Sequence, residues 1–466
     1  MKYRIEKDSL GKKKIPFNAF YGINTQRSKE NFQISNRILP LELFYAIAEI
    51  KIATAQANVI LGSLNRKQGS VIIKAAMEIL GGKHDDQFVI DAFQAGAGTS
   101  THMNVNEVIA NRAIEILGGN KGDYHLIHPN DHVNLGQSTN DIFPGAIKIV
   151  TVKKIIKLIP MLKNLENSLL KKSKQFKNIL KSGRTHLQDA VPITLGQEFH
   201  AYVSSIKNNI ATIKSTLNYL KKLDLGKNAI GTGINTYPGY AKIILRKLKK
   251  VNKIDWEEAR DPIYSTQNVT MFLEVSGALK LLAVDLTKMA NDLRLLSSGP
   301  NTGLREIKLP AIEAGSSMMP GKINPSIAEM LNMVCFQVIG NDETISLCAQ
   351  AGQLELNVMT PLIAKNLIES LTLLTNGIKT FDEKCVKGIR ANKEICQYYF
   401  EHSSGLATLL NPYIGYDKAA EIVKESLRTG ETISQIALKR NLISKKDLER
   451  ILDHKYVTRP NLNKLF

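Results

Sequence analysis

A short irregular loop near residue 320 carries the side chains best suited to chemistry. The run 315–325 reads GSSMMPGKINP, and its two glycines and two prolines exclude a regular helix or strand. Within it, Ser316 and Ser317 supply hydroxyls, Lys322 an ammonium group and Asn324 a carboxamide. These groups are able to hold a small anion and to remove a proton from it. A surface connection made of ordinary turn residues is the alternative interpretation.

Two further polar runs directly precede predicted helices. GAGTS at 96–100 leads into a helical pattern, and Thr99 and Ser100 stand where that helix would be capped. The run Gln137-Ser138-Thr139-Asn140-Asp141 precedes a longer helix. Capping explains one residue of this second run but not four in a row. Crowded hydrogen-bond donors at a helix N-terminus are what an anion site requires.

A third polar run places an arginine, a threonine and a histidine side by side at Arg184, Thr185 and His186. A single histidine is more often a structural residue than a catalytic one. Pro192, a few residues later, is expected in the first turn of the next helix. The glycine-rich run GKNAIGTGINT at 226–236 lacks the spacing of a nucleotide-binding loop, so it predicts no nucleotide site.

Taken together, these runs resemble the aspartase/fumarase superfamily. The loop resembles the family pattern GSSxMPxKxNP, and GAGTSTHMNVNEVIANRA, QSTND and GRTHLQDA resemble three further family blocks. The likeness extends from RIEKDSLG near the start of the chain to NPYIGYDKAA near its end. It implies a mostly α fold: a three-domain subunit whose long central helices form a twenty-helix core in a homotetramer. It also implies active sites that are each shared between three subunits.

The resemblance also implies roles for individual residues. Ser316 would abstract the proton from the substrate, with its alkoxide stabilised by Lys322 and by backbone N–H groups around Gly321. The substrate-binding residues that it implies are Thr99, Ser138, Thr139, Asn140, Thr185, His186, Ser317, Lys322 and Asn324. His102 departs from the family, whose members usually carry asparagine there. HPND resembles the second-site segment of fumarases, which implies a second, allosteric site near His128, Asn130 and Asp131.

Two activities within the superfamily fit the sequence. Thr139 in QSTND, where fumarases typically have a second serine, favours an ammonia-lyase that converts L-aspartate reversibly to fumarate and ammonium. The runs AGQLELNVM and AFYGINTQR favour the same activity. His128 in HPND favours the alternative, a class II fumarate hydratase acting on malate and fumarate. A third hypothesis is a catalytically silent helical scaffold or nucleic-acid binder. The intact polar residues of the site disfavour it: Ser316, Lys322, Asn324, Thr185 and Asn140.

Long helices must position these residues. Apolar residues step by four and three along two segments, as expected for helices packed in a bundle: Phe199, Val203, Ile206, Ile210, Ile213, Leu217 and Leu220, then Leu279, Leu282, Leu286, Met289, Leu293 and Leu296. Pro160 predicts a kink or break in a third segment. The predicted domains are an N-terminal domain at 1–140, a central helical bundle at 141–388 and a small C-terminal domain at 389–466.

Composition narrows the class of protein. The chain has 466 residues, of which 43% are hydrophobic, enough to bury a large core. The four cysteines, Cys335, Cys348, Cys385 and Cys396, lack metal-ligand spacing and are expected to be buried free thiols. We find neither a signal-peptide pattern nor a membrane-spanning run, so we expect a cytoplasmic protein without a membrane partner.

The formal net charge is +19, but the lysines are scattered over predicted helix faces. This distribution does not favour nucleic acid as a partner, whereas a positive field suits a dianionic substrate. The chemistry that the resemblance implies requires no organic cofactor. The sequence contains no metal-ligand pattern, and Mg²⁺ is expected at most as an activator.

Overall fold

The computed structural model describes residues 2–460 as a mostly helical protein, which confirms the predicted fold class. The α-helices in this part of the chain are α1 Ile23–Asn31, α2 Leu41–Ile60, α3 Arg66–Leu80, α4 Thr99–Ile116, α5 Thr139–Gln175, α6 Leu195–Leu220, α7 Tyr240–Asn252, α8 Pro262–Gln267, α9 Thr270–Leu296, α10 Ser326–Gln350, α11 Thr360–Lys384, α12 Lys393–His402, α13 Ala407–Ile414, α14 Tyr416–Thr429, α15 Ile433–Lys439 and α16 Lys445–Leu452.

The strands of the described chain are short and occur in pairs. They are β1 Tyr3–Asp8, β2 Gly11–Pro16, β3 Leu180–Thr185, β4 Gln188–Thr194, β5 Lys222–Leu223, β6 Glu257–Glu258, β7 Ile307–Lys308 and β8 Arg390–Ala391. β1 pairs with β2, β3 with β4 and β7 with β8, all antiparallel, whereas β5 and β6 are parallel. The β1–β2 hairpin and α1 were not predicted from the sequence.

The chain folds into two compact units, each made of three sequence segments. Unit 1 comprises Met1–Leu158, Ala211–Leu281 and Phe336–Leu374, and unit 2 comprises Ile159–Ile210, Leu282–Cys335 and Thr375–Phe466. The helices α5, α6, α9, α10 and α11 each have residues in both units. The division into three domains at residues 140 and 388 stays a prediction.

Helix α2 is the centre of unit 1. Its apolar residues are buried around most of its circumference, as expected for a helix with neighbours on several sides. It packs against α3 and α7. Lys51 lies in the middle of this helix and is fully buried. A lysine at such a position needs hydrogen-bond partners, because an isolated buried charge is strongly destabilising.

In unit 2, the β3–β4 hairpin packs against α12. Pro192 lies in β4, opposite Ser182, and helix α6 begins only at Leu195. The expectation that Pro192 belongs to the first turn of a helix is therefore wrong. A proline is tolerated here because β4 pairs on one side only, so its missing N–H faces away from the ladder.

The two predicted series of apolar residues, here called seams, both lie on helices, and almost all of their residues are buried. α6 and α9 contain all of the seam residues, and each of these is buried except Leu217, which is half-buried. The prediction at Pro160 was a kink or a break: α5 continues through Pro160, which excludes the break, and the kink stays a prediction. A proline within a helix removes one backbone hydrogen bond, and the buried residues around it in α5 compensate by packing.

A substitution at Gly98 tests the close approach of the start of α4 to Phe143 in α5. Gly98 adopts φ +81°, and an added Cβ would lie 2.5 Å from a ring carbon of Phe143. We expect Gly98→Ala to lower the melting temperature more than the matched control Gly118→Ala. Gly118 has φ +84° but open space around its Cβ position. Both changes carry a left-handed backbone cost of about 1–2 kcal/mol, and only Gly98→Ala adds overpacking of about 1–3 kcal/mol.

The comparison is a thermal melt of both variants beside the parent protein. Equal losses at the two positions would contradict the close contact between Gly98 and Phe143.

Candidate active site

The loop at 315–325 is irregular, as predicted, and it orders itself around Ser316. The Ser316 hydroxyl oxygen accepts hydrogen bonds from the backbone N–H of Met318 at 3.2 Å and of Met319 at 2.9 Å. Two N–H groups directed at one hydroxyl oxygen lower the energy of its alkoxide. The stabilising donors were expected around Gly321, but the structure places them two and three residues before it, because the chain turns back over Ser316.

The two ends of the loop are tied together. The Asn324 amide donates to the carbonyl oxygen of Gly315 at 2.5 Å, and the Lys322 ammonium donates to the side-chain oxygen of Asn324 at 2.7 Å. A Cβ on Gly315 would lie 2.6 Å from the backbone nitrogen of Asn324, so only glycine fits. The predicted residues Lys322 and Asn324 are therefore brought together by one short hydrogen-bond chain.

The outer part of the loop projects into solvent. Ser317 and Lys322 are exposed, and the Met318 side chain is 87% exposed. A large apolar side chain in this position has little to pack against in the described chain. The exposed methionine and the functional groups thus lie on the same surface, which a substrate or another protein segment is able to reach.

Thr99 is the first residue of α4 and lies in unit 1. Its hydroxyl donates to the carbonyl oxygen of Gly96 at 3.3 Å and does not cap the helix. The N-cap position belongs to Gly98, so the expected capping by Thr99 or Ser100 is wrong. Ser100 is buried and hydrogen-bonded to the Ser28 hydroxyl at 3.0 Å, whereas Thr99 is exposed. Thr99 therefore keeps an accessible hydroxyl at a helix N-terminus, where anions are favoured.

The QSTND run begins α5 with two hydrogen bonds that both involve Ser138. The Asn140 N–H donates to the Ser138 hydroxyl at 3.2 Å, and the Ser138 N–H donates to the Asp141 carboxylate at 3.0 Å. The second Asp141 oxygen accepts from the N–H groups of Gly226 and Asn228. Burial raises the pKa of Asp141 to about 7, against the opposing effect of these N–H donors. Through these hydrogen bonds, the buried Asp141 carboxylate fixes the position of the first turn of α5.

The predicted residue Thr139 contacts a histidine from α4. Its hydroxyl oxygen lies 2.8 Å from Nδ1 of His102, whose Nε2 lies 2.8 Å from the Lys51 ammonium nitrogen. Burial, and next the charge of Lys51, hold the pKa of His102 well below its usual range. Burial lowers the pKa of Lys51, and the charge of Asp141 opposes this effect. Sequence reasoning missed Lys51, although a single lysine within an apolar helix was an available signal.

Thr185 and His186 lie at the tip of the β3–β4 hairpin in unit 2. The two turn residues, His186 and Leu187, have φ values of 56° and 60°. Two-residue hairpin turns require positive φ and usually contain glycine or asparagine. The turn therefore adopts a conformation that its residues disfavour, a feature that clusters at functional sites. Both predicted side chains are exposed at this tip.

A buried carboxylate anchors the hairpin in unit 2. Glu306 is fully buried and lies 2.9 Å from both the Arg184 guanidinium and the Lys181 ammonium group. The charges of Glu198 and Glu306 outweigh burial and raise the pKa of Lys181. Glu306 directly precedes β7, which leads into the 315–325 loop. Sequence reasoning missed this residue, because nothing in its neighbourhood marks it.

The residues of the predicted second site lie together in one turn. His128 Nδ1 accepts hydrogen bonds from the backbone N–H groups of Asn130 and Asp131, each at 3.1 Å. The Asp131 carboxylate lies 3.4 Å from the same nitrogen. The two backbone contacts hold the His128 ring within this turn. The second site stays a prediction.

The predicted site residues thus divide between the two units. Unit 1 contains Thr99, Ser138, Thr139 and Asn140, and unit 2 contains Thr185, His186, Ser316, Ser317, Lys322 and Asn324. In unit 1 the polar residues cluster at the N-termini of α4 and α5. In unit 2 they lie in a hairpin tip and an exposed loop. A strong polar cluster at two helix starts suits a carboxylate group.

The cysteines take no part in these clusters. All four are free and buried, as predicted, and burial raises the pKa of each thiol. A thiol with a raised pKa is a poor nucleophile. Within residues 2–460 no group of three or more histidine, cysteine, aspartate or glutamate side chains is placed to hold a metal ion.

Comparisons with known proteins agree over almost the whole chain. A model of the lyase family matches residues 11–340, and the model "Fumarase C C-terminus" matches residues 406–459. Aspartate ammonia-lyase of Bacillus subtilis (strain 168) is 45% identical over 460 residues, covering 99% of this chain and 97% of that protein. Aspartate ammonia-lyase of Helicobacter pylori is also 45% identical, with 98% of each chain covered.

Solved structures agree with the family models. The fumarate lyase:delta crystallin from Brucella melitensis, solved with cobalt, matches with a TM-score of 0.94 and 43% identity, covering 98% of this chain and 100% of that one. A class II fumarase from Schistosoma mansoni matches with a TM-score of 0.93 and 39% identity, covering 97% and 98%. This chain therefore belongs to the aspartase/fumarase superfamily of lyases.

Proposed function

We propose that this protein is an aspartate ammonia-lyase, which converts L-aspartate reversibly to fumarate and ammonium. The observation that carries the proposal is the Ser316 hydroxyl, held by two backbone N–H groups in a loop that also presents Lys322 and Asn324. Full-length relatives named aspartate ammonia-lyase, at 44–46% identity, support this choice of activity.

The reaction removes a proton from the carbon next to the β-carboxylate. This leaves a doubly charged aci-carboxylate, so fixed hydrogen-bond donors must stabilise the charge as it develops. We assign this role to the hydroxyls of Thr99, Ser138, Thr139 and Ser317. Expulsion of the amino group as ammonia then completes the double bond of fumarate.

The remaining residues are assigned to the other end of the substrate. Lys322 and Asn324 bind the α-carboxylate, and Asn140, Thr185 and His186 orient the amino group. Lys322 and Asn324 are hydrogen-bonded to each other. Binding therefore exchanges this contact for contacts to a carboxylate, and the loop closes over the substrate to exclude water.

Ser316 acts as the base in this proposal. A serine hydroxyl is a weak base unless its alkoxide is stabilised. The N–H groups of Met318 and Met319 supply part of that stabilisation, and the positive charge of Lys322 supplies more once water is excluded. The Ser316 alkoxide takes the proton from the substrate carbon and becomes a hydroxyl, which loses this proton to solvent when the loop opens and so returns to the alkoxide.

A class II fumarate hydratase is the second candidate. The likeness to the Schistosoma mansoni fumarase at 39% identity and the HPND segment at His128 favour it. The threonine at position 139 and the higher identity to aspartate ammonia-lyases favour the first candidate. The two candidates share the proton abstraction and differ in the leaving group, which is ammonia in one case and water in the other.

We also propose a homotetramer with active sites shared between three subunits. Helices α9 and α10 carry large apolar side chains that are exposed in the single chain, among them Leu281 at 57% and Phe336 at 58%. Several exposed apolar side chains on the same long helices are typical of a subunit interface. Val284, Met333 and Leu347 belong to the same class of exposed residues.

Localisation and cofactor use are part of the same proposal. The helices of residues 2–460 are each too short or too polar to cross a bilayer. We propose a cytoplasmic enzyme that requires no organic cofactor, binds no nucleic acid and uses Mg²⁺ at most as an activator.

The Ser316→Ala variant tests the assigned base. We expect kcat for ammonium release from L-aspartate to fall by about 10²- to 10⁴-fold, the usual contribution of a general base, with the helical circular dichroism unchanged. The exposed serine Ser204 in α6 provides the matched control, and Ser204→Ala should retain the parent rate. A Ser316→Ala enzyme with nearly the parent rate would remove Ser316 from this role.

The Lys322→Ala variant tests the assigned carboxylate contact. Loss of a hydrogen-bonded charge is expected to raise the KM for L-aspartate about 10- to 100-fold, while Lys308→Ala, at an exposed lysine in β7, leaves KM unchanged. Steady-state kinetics at fixed ionic strength measure both. A parent-like KM for Lys322→Ala would count against the assignment.

A further inference from the structure

Three side chains in unit 1 form a buried hydrogen-bond chain that ends at Thr139. Lys51 from α2 contacts His102 from α4, and His102 contacts Thr139 at the start of α5, with both distances at 2.8 Å. Lys51 and His102 are buried, at 0% and 1% exposure. The chain thus connects the interior of the unit to a hydroxyl that we assign to substrate binding.

The other partners of Lys51 fix the direction of its hydrogen bonds. Its ammonium group lies 2.9 Å from the side-chain oxygens of both Asn134 and Gln137. The amide nitrogen of Asn134 donates to the Gln137 carbonyl oxygen, and that of Gln137 donates to the carbonyl oxygens of Val133 and Leu135. Because both amide nitrogens are engaged elsewhere, the oxygens face Lys51 and accept two of its three protons.

The third proton of the Lys51 ammonium group points at His102 Nε2. We infer that Lys51 keeps its ammonium form, because two side-chain oxygens accept from it and the Asp141 carboxylate opposes the effect of burial. An ammonium group has no lone pair and only donates, so in this form Nε2 accepts. A neutral imidazole with an accepting Nε2 carries its proton on Nδ1, which faces the Thr139 oxygen. A second proton on His102 would face the Lys51 ammonium group, which disfavours the imidazolium form.

We propose that Lys51 and His102 are positioning residues that hold the Thr139 hydroxyl as a hydrogen-bond donor toward the β-carboxylate. With His102 Nδ1–H donating to it, the Thr139 oxygen accepts from the interior. Its own O–H must then point elsewhere, toward the polar cluster at the N-terminus of α5. This inference rests on the proposed function, because only an anionic substrate makes a fixed donor useful.

The orientation matters because a hydroxyl is otherwise free to rotate. Without the imidazole N–H, the Thr139 proton can turn inward, and a lone pair would then face the negative charge that develops on the substrate. A pre-oriented donor avoids reorganisation during the reaction. An asparagine at position 102 offers the same polarity, since its oxygen accepts and its nitrogen donates, whereas leucine offers neither.

Neutron diffraction of the deuterated, substrate-free protein tests the chain directly and needs no turnover. We expect deuterium on Nδ1 of His102, none on Nε2, and three deuterons on the Lys51 nitrogen. Deuterium on Nε2 would mean that Lys51 is a neutral amine that accepts from the imidazole, which would overturn the proposal. Because this result is independent of the reaction, it separates failure of the chain from failure of the proposed function.

Kinetics on L-aspartate test the consequence. We expect His102→Leu to lower kcat about 10- to 100-fold with a smaller change in KM, the effect of one charge-directed hydrogen bond, and His102→Asn to recover most of the rate. In a Thr139→Val background, His102→Leu should have no further effect, since its partner hydroxyl is already absent.

Equal effects of His102→Leu in the two backgrounds would overturn the proposal and assign His102 a structural role. Melting temperatures of all four proteins of the cycle identify any loss that is due to folding. His102→Asn, which keeps the polarity of the contact, remains informative if His102→Leu fails to fold, because a large loss of kcat in folded His102→Asn would contradict the proposal.

Discussion

The buried amino group of Lys51, which we infer to be an ammonium group, is the constraint on which the polar part of unit 1 depends. A charge in the interior must be fully hydrogen-bonded, or the fold loses several kcal/mol. Its partners are His102 in α4 and Asn134 and Gln137, just before α5. Satisfying one charge therefore holds two helix N-termini in place. The hydroxyls at these termini remain available to a ligand because the interior bonds are made by other residues.

The loop in unit 2 is organised in the opposite way. Its functional groups are exposed, and its order comes from contacts within the loop, such as those from Met318 and Met319 to the Ser316 oxygen. Few buried apolar contacts hold such a segment, so it opens at low energetic cost. A loop held mainly by its own contacts suits a reaction in which water must be excluded and product released.

The features predicted correctly from the sequence are those set by the periodicity of apolar residues or by a strong local pattern such as a glycine- and proline-rich run. The seams of α6 and α9 and the irregular loop are of this kind. Prediction from the sequence failed where distant residues decide the outcome. Pro160 does not break α5, and the pairing of β3 with β4 places Pro192 in a strand. The roles of Lys51 and Glu306 depend on partners 51 or more residues away in sequence, so neither residue was found.

The most direct measurement follows absorbance at the fumarate band with purified protein, offering L-aspartate in one cuvette and L-malate in another. Ammonium is assayed in both. The proposed activity predicts fumarate and equimolar ammonium from L-aspartate and no fumarate from L-malate. Fumarate from L-malate alone would identify a fumarate hydratase, and no product from either substrate by the folded protein would contradict the assignment of an active lyase.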